Sequence, residues 1–252
     1  MTTSSTARGS AAYTAAVADS AAEVRAAQRL RHQVFGEEMG AAAGSCPSGL
    51  DMDAFDSAAD HLIVTDTATG DVVGTYRLLP PGRVRHSYAD GEFDLAALAG
   101  IRTSMIEAGR SCVHPDHRSG AVINLMWSAL ARYVFASGHR YLAGCASVPL
   151  ADGGRSAAHT WALCAARHAP PSGMEVFPHR PWRPSGPVRT AEPPGPGSAP
   201  LPPLLRGYLR LGAWVCGAPA HDPEFGVADF FVVLDMEQLN ERYQRYFLGE
   251  PG

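Results

Sequence analysis

The chain has 252 residues, 46% of them hydrophobic, and this length is enough to bury a large core within one domain. Its formal net charge is −4, and all 21 basic residues are arginines scattered without a basic run, which argues against a nucleic-acid partner. The five cysteines show no CxxC spacing, so we expect reduced thiols and neither a disulfide framework nor a bound metal.

The N-terminal part of the sequence predicts a tail, a strand and a helix. Residues 1–10 are rich in serine and threonine and lead into no sustained apolar segment, so we expect a mobile tail on a protein that stays in the cytoplasm. A short strand is predicted near residues 13–17. Ser20 and Glu23 have the spacing of a capping box, and apolar residues at helical spacing over 24–34 predict the helix that the box opens.

A hairpin and a further strand come next. Two short apolar segments, 61–65 and 72–79, flank a Thr-Gly-Asp turn, which predicts an antiparallel hairpin. The segment 105–113 has apolar residues in alternation and predicts another strand. Because Gly109 interrupts that alternation, we predict a β-bulge at this glycine.

A basic turn and a helix follow that strand. Apolar residues over 122–133 have helical spacing, so Ser119 is predicted to cap a helix there. A helix start presents unpaired N–H groups and a positive dipole end, which together with Arg118 suit a phosphate group. The same pattern is also typical of a solvated arginine beside a surface helix. Polar residues interrupt the helix, so any membrane contact is expected to be peripheral, at the inner face of the membrane.

The C-terminal part differs in composition. Of the 20 prolines, 12 fall within residues 170–203, which predicts an extended loop or lid. This segment is either a disordered insertion or a flap packed over the site. The other predicted elements are strands at 140–148 and 228–234 and helices at 156–167, 204–211 and 237–247.

Six motifs carry a resemblance to a known family. They are LRHQVFGEEMG at 30–40, DMDAFD at 51–56, DHLIV at 60–64, VVGTYRLLP at 72–80, the Glu107-x-x-Arg110 pair and LPPLLRGYLRLGAWVCG at 201–217. In this order they resemble the GNAT superfamily of acyltransferases, and within it the ornithine N-acyltransferases of ornithine-lipid synthesis. The acyl-homoserine lactone synthases resemble the chain in all of these motifs but the last.

The resemblance implies a fold and a reaction. The fold is α/β, GNAT-like, with a mixed, strongly twisted central sheet flanked by helices, and the whole chain is one acyltransferase domain. The reaction moves a fatty acyl group from a thioester to the amino group of an amino acid, with ornithine as the expected acceptor. We expect acyl carrier protein to be preferred over acyl-CoA as the donor, and we expect no tightly bound cofactor. Two alternatives stay open: a GNAT enzyme for another amine or natural-product intermediate, and a non-catalytic acyl-thioester binding protein.

The candidate catalytic residues lie on the strand before the basic turn. With the resemblance, Glu107 is the candidate general base for the acceptor amine and Arg110 its partner, and a purely structural Glu–Arg pair is the alternative. The backbone N–H groups of Ser111, Cys112 and Val113 are the expected donors to the developing oxyanion. The Cys112 thiol is also a candidate nucleophile, but the resemblance implies direct attack by the amine.

The donor is assigned to the basic turn. Arg118 and Ser119, with the backbone N–H groups of Gly120 and Ala121, are the residues expected to bind the pantetheine phosphate. Tyr208 is expected to protonate the leaving thiol, or else to belong to the core.

The acceptor is assigned to the acidic DMDAFD motif. Asp53 and Asp56 are expected to hold a cationic amino acid, as the resemblance to the lactone synthases implies, with Arg31 and Phe35 closing over them. The alternative is a solvated acidic loop.

Overall fold

The computed structural model describes residues 12–40, 48–118, 120–184 and 201–240, together with Tyr243 and Arg245. Its strands are β1 (Tyr13–Val17), β2 (Asp60–Asp66), β3 (Val72–Leu79), β4 (Phe93–Asp94), β5 (Met105–Val113), β6 (Tyr141–Pro149), β7 (Phe177–Pro178), β8 (Trp214–Val215), β9 (Ala220–Asp222) and β10 (Val227–Asp235). Its helices are α1 (Ala21–Arg31), α2 (Tyr88–Glu92), α3 (Gly120–Ala136), α4 (Arg155–Arg167) and α5 (Pro203–Arg210). A π-helix, His32–Glu38, continues α1 directly.

A mixed sheet forms the centre of the fold. Its strand order is β1-β2-β3-β5-β6-β10-β8, and β9 pairs with β10 beside β8. The pairs are antiparallel except for β5 and β6, which run parallel. The predicted α/β fold with a mixed central sheet flanked by helices is therefore confirmed.

The parallel pair opens after three residues. Met105–Glu107 pair with Tyr141–Ala143, and from there β5 and β6 continue without pairing with each other. The strands part at Gly144, where a Cβ atom would lie 2.2 Å from the carbonyl oxygen of Ala108. Only glycine permits so close a backbone approach. The separated strands leave a wedge-shaped opening in the middle of the sheet.

The β-bulge of β5 lies beside this opening. Gly109 stays in register opposite Arg77, whereas Arg110 and Ser111 together face one residue of β3 before pairing resumes at Cys112. Arg110 has a φ of +50°, which is uncommon for a residue with a side chain. The bulge predicted at Gly109 is thus wrong by one residue, because the positive φ lies at Arg110, whose side chain is held by ion pairs with Asp51 and Asp53.

The two faces of the sheet are buried by different elements. Along β10 all nine residues are buried, as expected for a strand covered on both faces. Phe230 and Val232 pack with α3 and α5, while Phe231 and Val233 pack with Met105 and the segment around α2. Because side chains alternate between the two faces along a strand, Asp229 lies on the same face as Phe231, the face covered by the segment around α2.

Most of the predicted elements are observed. Ser20 caps α1 by accepting the N–H of Glu23 at 3.2 Å, and the β2–β3 hairpin, α3, α4, α5 and the strands β1, β5, β6 and β10 all appear. None of the helices in the described ranges combines the length and apolar character needed to cross a membrane.

Three predictions concern segments with partial description. Residues 1–10, Ser119 and 185–200 lie outside the described residues. Of the Pro-rich segment, the described part packs on the body, since Trp182 is buried and its N–H donates to the carbonyl of Pro219. The predicted helix 237–247 is wrong at its start, where a 3-10 turn at Met236–Gln238 gives way to extended backbone at Leu239.

Candidate active site

A cavity of about 370 Å³ occupies the opening between β5 and β6. Residues 107–113 of β5 form one wall and residues 142–147 of β6 form the other. Since strands that diverge expose both faces of the sheet, the cavity reaches from the α3 side to the α2 side. Its two ends differ in chemistry.

The end on the α3 side is apolar and aromatic. Leu204, Val232 and Tyr208 line it together with Tyr76, and the hydroxyls of the two tyrosines lie 3.1 Å apart. The Trp127 ring packs 4.6 Å from the Tyr208 ring, centroid to centroid. Burial raises the pKa of both tyrosines, so the pair stays protonated. An alkyl chain fits this end better than a charged group.

Glu107 lies in the wall on the other side, at the point where β5 and β6 part. Its side chain is 9% exposed, and both carboxylate oxygens accept weakly from the N–H of Ala89, at 3.3 and 3.4 Å. Burial raises its pKa, while a hydrogen bond from Ser87 and the charge of Arg77 oppose that rise. A carboxylate with raised proton affinity facing a cavity is suited to accept a proton.

Arg110 pairs with two aspartates of the acidic DMDAFD motif. Its guanidinium lies 3.5 Å from Asp53 and 3.7 Å from Asp51, and it stacks over the rings of Phe35, Tyr88 and Phe225 at 5.1 to 6.0 Å. The Glu107-x-x-Arg110 motif therefore places a carboxylate and a guanidinium with different partners in one wall of the cavity.

The acidic DMDAFD motif forms a buried ion-pair network beneath that wall. Arg31 has no exposed surface and binds Asp51 and Asp56, each at 2.8 Å. Asp56 also binds Arg77 at 3.3 Å, and these partners hold its pKa well below the usual range despite burial. Asp53 binds Arg77 at 2.5 Å and is more exposed than Asp56. Arg31 and Asp56 thus lie behind the cavity wall, whereas Phe35 lines it.

The bulged part of β5 supplies the backbone groups that face β6. Ser111, Cys112 and Val113 line the cavity, and beyond Glu107 none of the strands that the structure describes pairs with β5 on that side. Burial raises the pKa of the Cys112 thiol to about 12, which leaves almost no thiolate at neutral pH.

The basic turn closes the mouth of the cavity. Arg118 lines it, donates from Nε to the carbonyl of Val113 at 3.2 Å, and binds Glu38 through two hydrogen bonds of 2.6 and 2.7 Å. The pair is about half exposed and ties the π-helix to the turn. Gly120 and Ala121, the first residues of α3, are exposed beside it.

The sequence analysis missed the acidic side of the cavity. Asp222 of β9 and Asp229 of β10 line it with Tyr88 and Phe225. Asp229 is 2% exposed, and burial beside Asp222 and Glu92 raises its pKa to about 7. An aspartate inside the apolar run ADFFVVL was the signal that could have marked it.

Known proteins share both the sequence and the fold. A family model described as an acetyltransferase (GNAT) domain matches residues 30–128. An L-ornithine N(alpha)-acyltransferase of Rhodobacter capsulatus is 33% identical over 93% of this chain and 94% of its own length. One of Brucella abortus is 34% identical over 94% of this chain and 89% of its own. The solved structure of BjaI, a CoA-dependent acyl-homoserine lactone synthase with SAM and isopentyl-CoA, is similar in fold, with a TM-score of 0.54 and 18% identity over 92% of this chain and 85% of that one.

Proposed function

Because the chain belongs to the L-ornithine N(alpha)-acyltransferase family of GNAT acyltransferases, we propose that it transfers a fatty acyl group from a thioester to the α-amino group of ornithine. The observation that carries this proposal is the cavity between β5 and β6, which is apolar at one end and acidic at the other, with Glu107 in its wall. The acyl chain enters from the apolar end and the amine from the acidic end, so the two reactants meet beside Glu107.

Glu107 serves as the general base. The α-amino group of an amino acid is mostly protonated at neutral pH, and it must lose a proton before it can attack. The raised pKa of the buried Glu107 carboxyl gives it a stronger hold on that proton than an exposed glutamate has. The N–H of Ala89 keeps the carboxylate oriented.

The backbone of the bulge stabilises the transition state. When the amine attacks the thioester carbonyl carbon, the C–N bond forms and negative charge develops on the carbonyl oxygen. N–H groups on the free edge of β5, within Ser111–Val113, are the donors to that oxygen. The C–S bond then breaks and the electron pair leaves on sulfur. Tyr208, protonated and lining the apolar end, supplies a proton to the thiolate. The attacking nitrogen loses its second proton as the C–S bond breaks, and this proton restores the tyrosine hydroxyl.

The donor binds at the basic turn. Arg118 and the start of α3 receive the pantetheine phosphate, and the phosphate competes with Glu38 for the Arg118 guanidinium. We propose acyl carrier protein as the preferred donor, with acyl-CoA as the alternative. A cytoplasmic location and a peripheral contact with the inner face of the membrane stay predictions.

The acceptor carboxylate and amines contact the opposite end. Arg110, framed by three aromatic rings, lies where it can approach the acceptor carboxylate, and Asp53 shares it. Phe35 closes this end of the cavity. Arg31 and Asp56 lie behind the cavity wall, where they hold Asp51 and Arg77 in place.

The test is the rate of N-acylornithine formation by purified Glu107→Gln protein. The variant is expected to fold normally and to lose about 100-fold or more in kcat, since glutamine keeps the shape but accepts no proton. Glu92→Gln is the matched control, because Glu92 ends α2 outside the cavity lining. Turnover by Glu107→Gln equal to that of the control would reject Glu107 as the base. Product with another amine but none with ornithine would favour a different GNAT reaction.

A further inference from the structure

The acidic end of the cavity is lined by two aspartates from neighbouring strands. They are Asp222 of β9 and Asp229 of β10, and Glu107 stands in the adjoining wall. The Arg110 guanidinium, whose charge acts on Asp229, pairs with Asp51 and Asp53.

Asp229 has an unsatisfied oxygen. Its side chain is 2% exposed, and its Oδ1 accepts no hydrogen bond from any residue that the structure describes. The other influences on the carboxyl are a hydrogen bond from the Ser147 side chain and the charge of Arg110, which lower its pKa, and Asp222 and Glu92, which raise it. A buried carboxylate oxygen without a donor is costly, and such groups in native proteins ordinarily have a partner. A ligand that brings an N–H donor and a positive charge would satisfy it.

The position of Asp229 relative to Glu107 defines the shape of that ligand. The two residues belong to β10 and β5, on either side of β6 in the sheet. Glu107 pairs with Ala143 of β6 and Asp229 pairs with Ser147, so Cys145 lies between these two positions along β6. A compound with an amine at each end is the kind of ligand that suits two carboxylates that line one cavity. The rings of Tyr88 and Phe225 line the space for its carbon chain.

We propose that Asp229, assisted by Asp222, binds the side-chain ammonium group of the acceptor and so selects a basic amino acid. This inference rests on the proposed function and adds to it the residue that recognises the second amine. Asp222 is held for this purpose by the N–H groups of Glu224 and Phe225, which donate to its Oδ1 and leave Oδ2 to Tyr88, 3.5 Å away, and to the ligand.

Comparing the rates with two acceptors of equal chain length tests whether Asp229 binds the side-chain ammonium group. Norvaline has the carbon chain of ornithine but no side-chain amine, so only ornithine can satisfy Asp229. We expect wild-type kcat/KM to be about 100-fold or more higher for ornithine than for norvaline, since a site with a buried charged partner discriminates strongly against a ligand that lacks the matching group. In Asp229→Asn this ratio should fall to within about 10-fold. The loss should lie in the KM for ornithine, while kcat/KM for norvaline stays within about 3-fold of wild type.

A control and a contrary result sharpen the test. Glu92→Gln removes a charge from the same surroundings outside the cavity lining and is expected to keep the ornithine preference. If Asp229→Asn lowers kcat equally for both acceptors, Asp229 acts on the reacting amine and the subsite assignment is overturned. An unchanged ratio overturns it as well.

Calorimetric binding of ornithine and norvaline without an acyl donor gives a readout independent of turnover. Wild type should bind ornithine more tightly than norvaline, and Asp229→Asn should abolish the difference while keeping the wild-type circular dichroism spectrum. Equal binding of the two compounds by wild type overturns the subsite. Asp229-dependent binding without any N-acylornithine product keeps the subsite and rejects the proposed reaction, so the two failures are distinguishable.

Discussion

Replacing Asp229 with asparagine should make the protein more stable at neutral and alkaline pH when no acceptor is present. Burial beside Asp222 and Glu92 raises the pKa of this carboxyl from its ordinary value of 3.8 to about 7. The folded state therefore binds more protons than the unfolded state between pH 4 and pH 7, and the stability of wild type falls as the pH rises through that window. Asparagine has no proton to lose and removes this loss of stability.

The magnitude follows from the same pKa. Each tenfold change in proton affinity is worth about 1.4 kcal/mol, so the whole effect of Asp229 is about 4 kcal/mol, nearly all of it reached by pH 8. The assay is urea unfolding of wild type and Asp229→Asn at intervals from pH 4 to pH 8. The free energy of unfolding of the variant should gain on that of wild type by about 2 to 4 kcal/mol across the range. Parallel curves for the two proteins would refute the burial argument.

Three further predictions concern other parts of the cavity. Cys112→Ala should keep most of the wild-type kcat, because the thiol is buried and protonated; an acyl-cysteine adduct found by mass spectrometry would contradict this. Arg118→Ala should lower kcat/KM with both donors. Added salt should lower the wild-type kcat/KM more steeply with acyl carrier protein than with acyl-CoA, since salt screens exposed charges. Equal salt profiles would reject the carrier protein as the preferred donor. Gly144→Ala should cost about 1 to 3 kcal/mol of stability, because the new Cβ would overlap the Ala108 carbonyl. Gly109→Ala is the control, since its Cβ would meet nothing within 4 Å. Equal melting temperatures for the two variants would contradict the close approach of β5 and β6.

The periodicity of apolar residues was sufficient to predict the strands and helices that have one buried face. The alternation in β5 and the helical spacing in α3 are set by which face each residue buries, and both elements appear near their predicted bounds. The order of the motifs indicated the superfamily, and with it the mixed sheet. These signals reside in neighbouring residues, so the chain alone displays them.

Features set by distant partners could not be predicted in the same way. The bulge lies at Arg110 and not at Gly109, because Asp51 and Asp53 hold the Arg110 side chain in a backbone conformation that its own propensity disfavours. Likewise, Arg31 is fully buried only because α1 packs against β3 and the acidic motif surrounds its guanidinium.

Asp229 is visible in the sequence as a charged residue in an apolar strand, but the sequence does not show what it does. A lone aspartate in a buried strand indicates either a paired structural charge or a ligand site. The choice depends on the pairing of β10 with β6 and β9, which brings Asp229 to the cavity beside Asp222. That pairing joins residues far apart in the chain.

The central claim is that this acyltransferase joins a fatty acyl group to ornithine, with Glu107 in the reacting site. Mass spectrometry of lipid extracts from cells that express the chain tests it most directly, with Glu107→Gln expressed at the same level as the control. The account predicts N-acylornithine species that appear with wild type and are absent or strongly reduced with the variant. Extracts without N-acylornithine at good expression, or with an N-acyl derivative of a different amine, would contradict it.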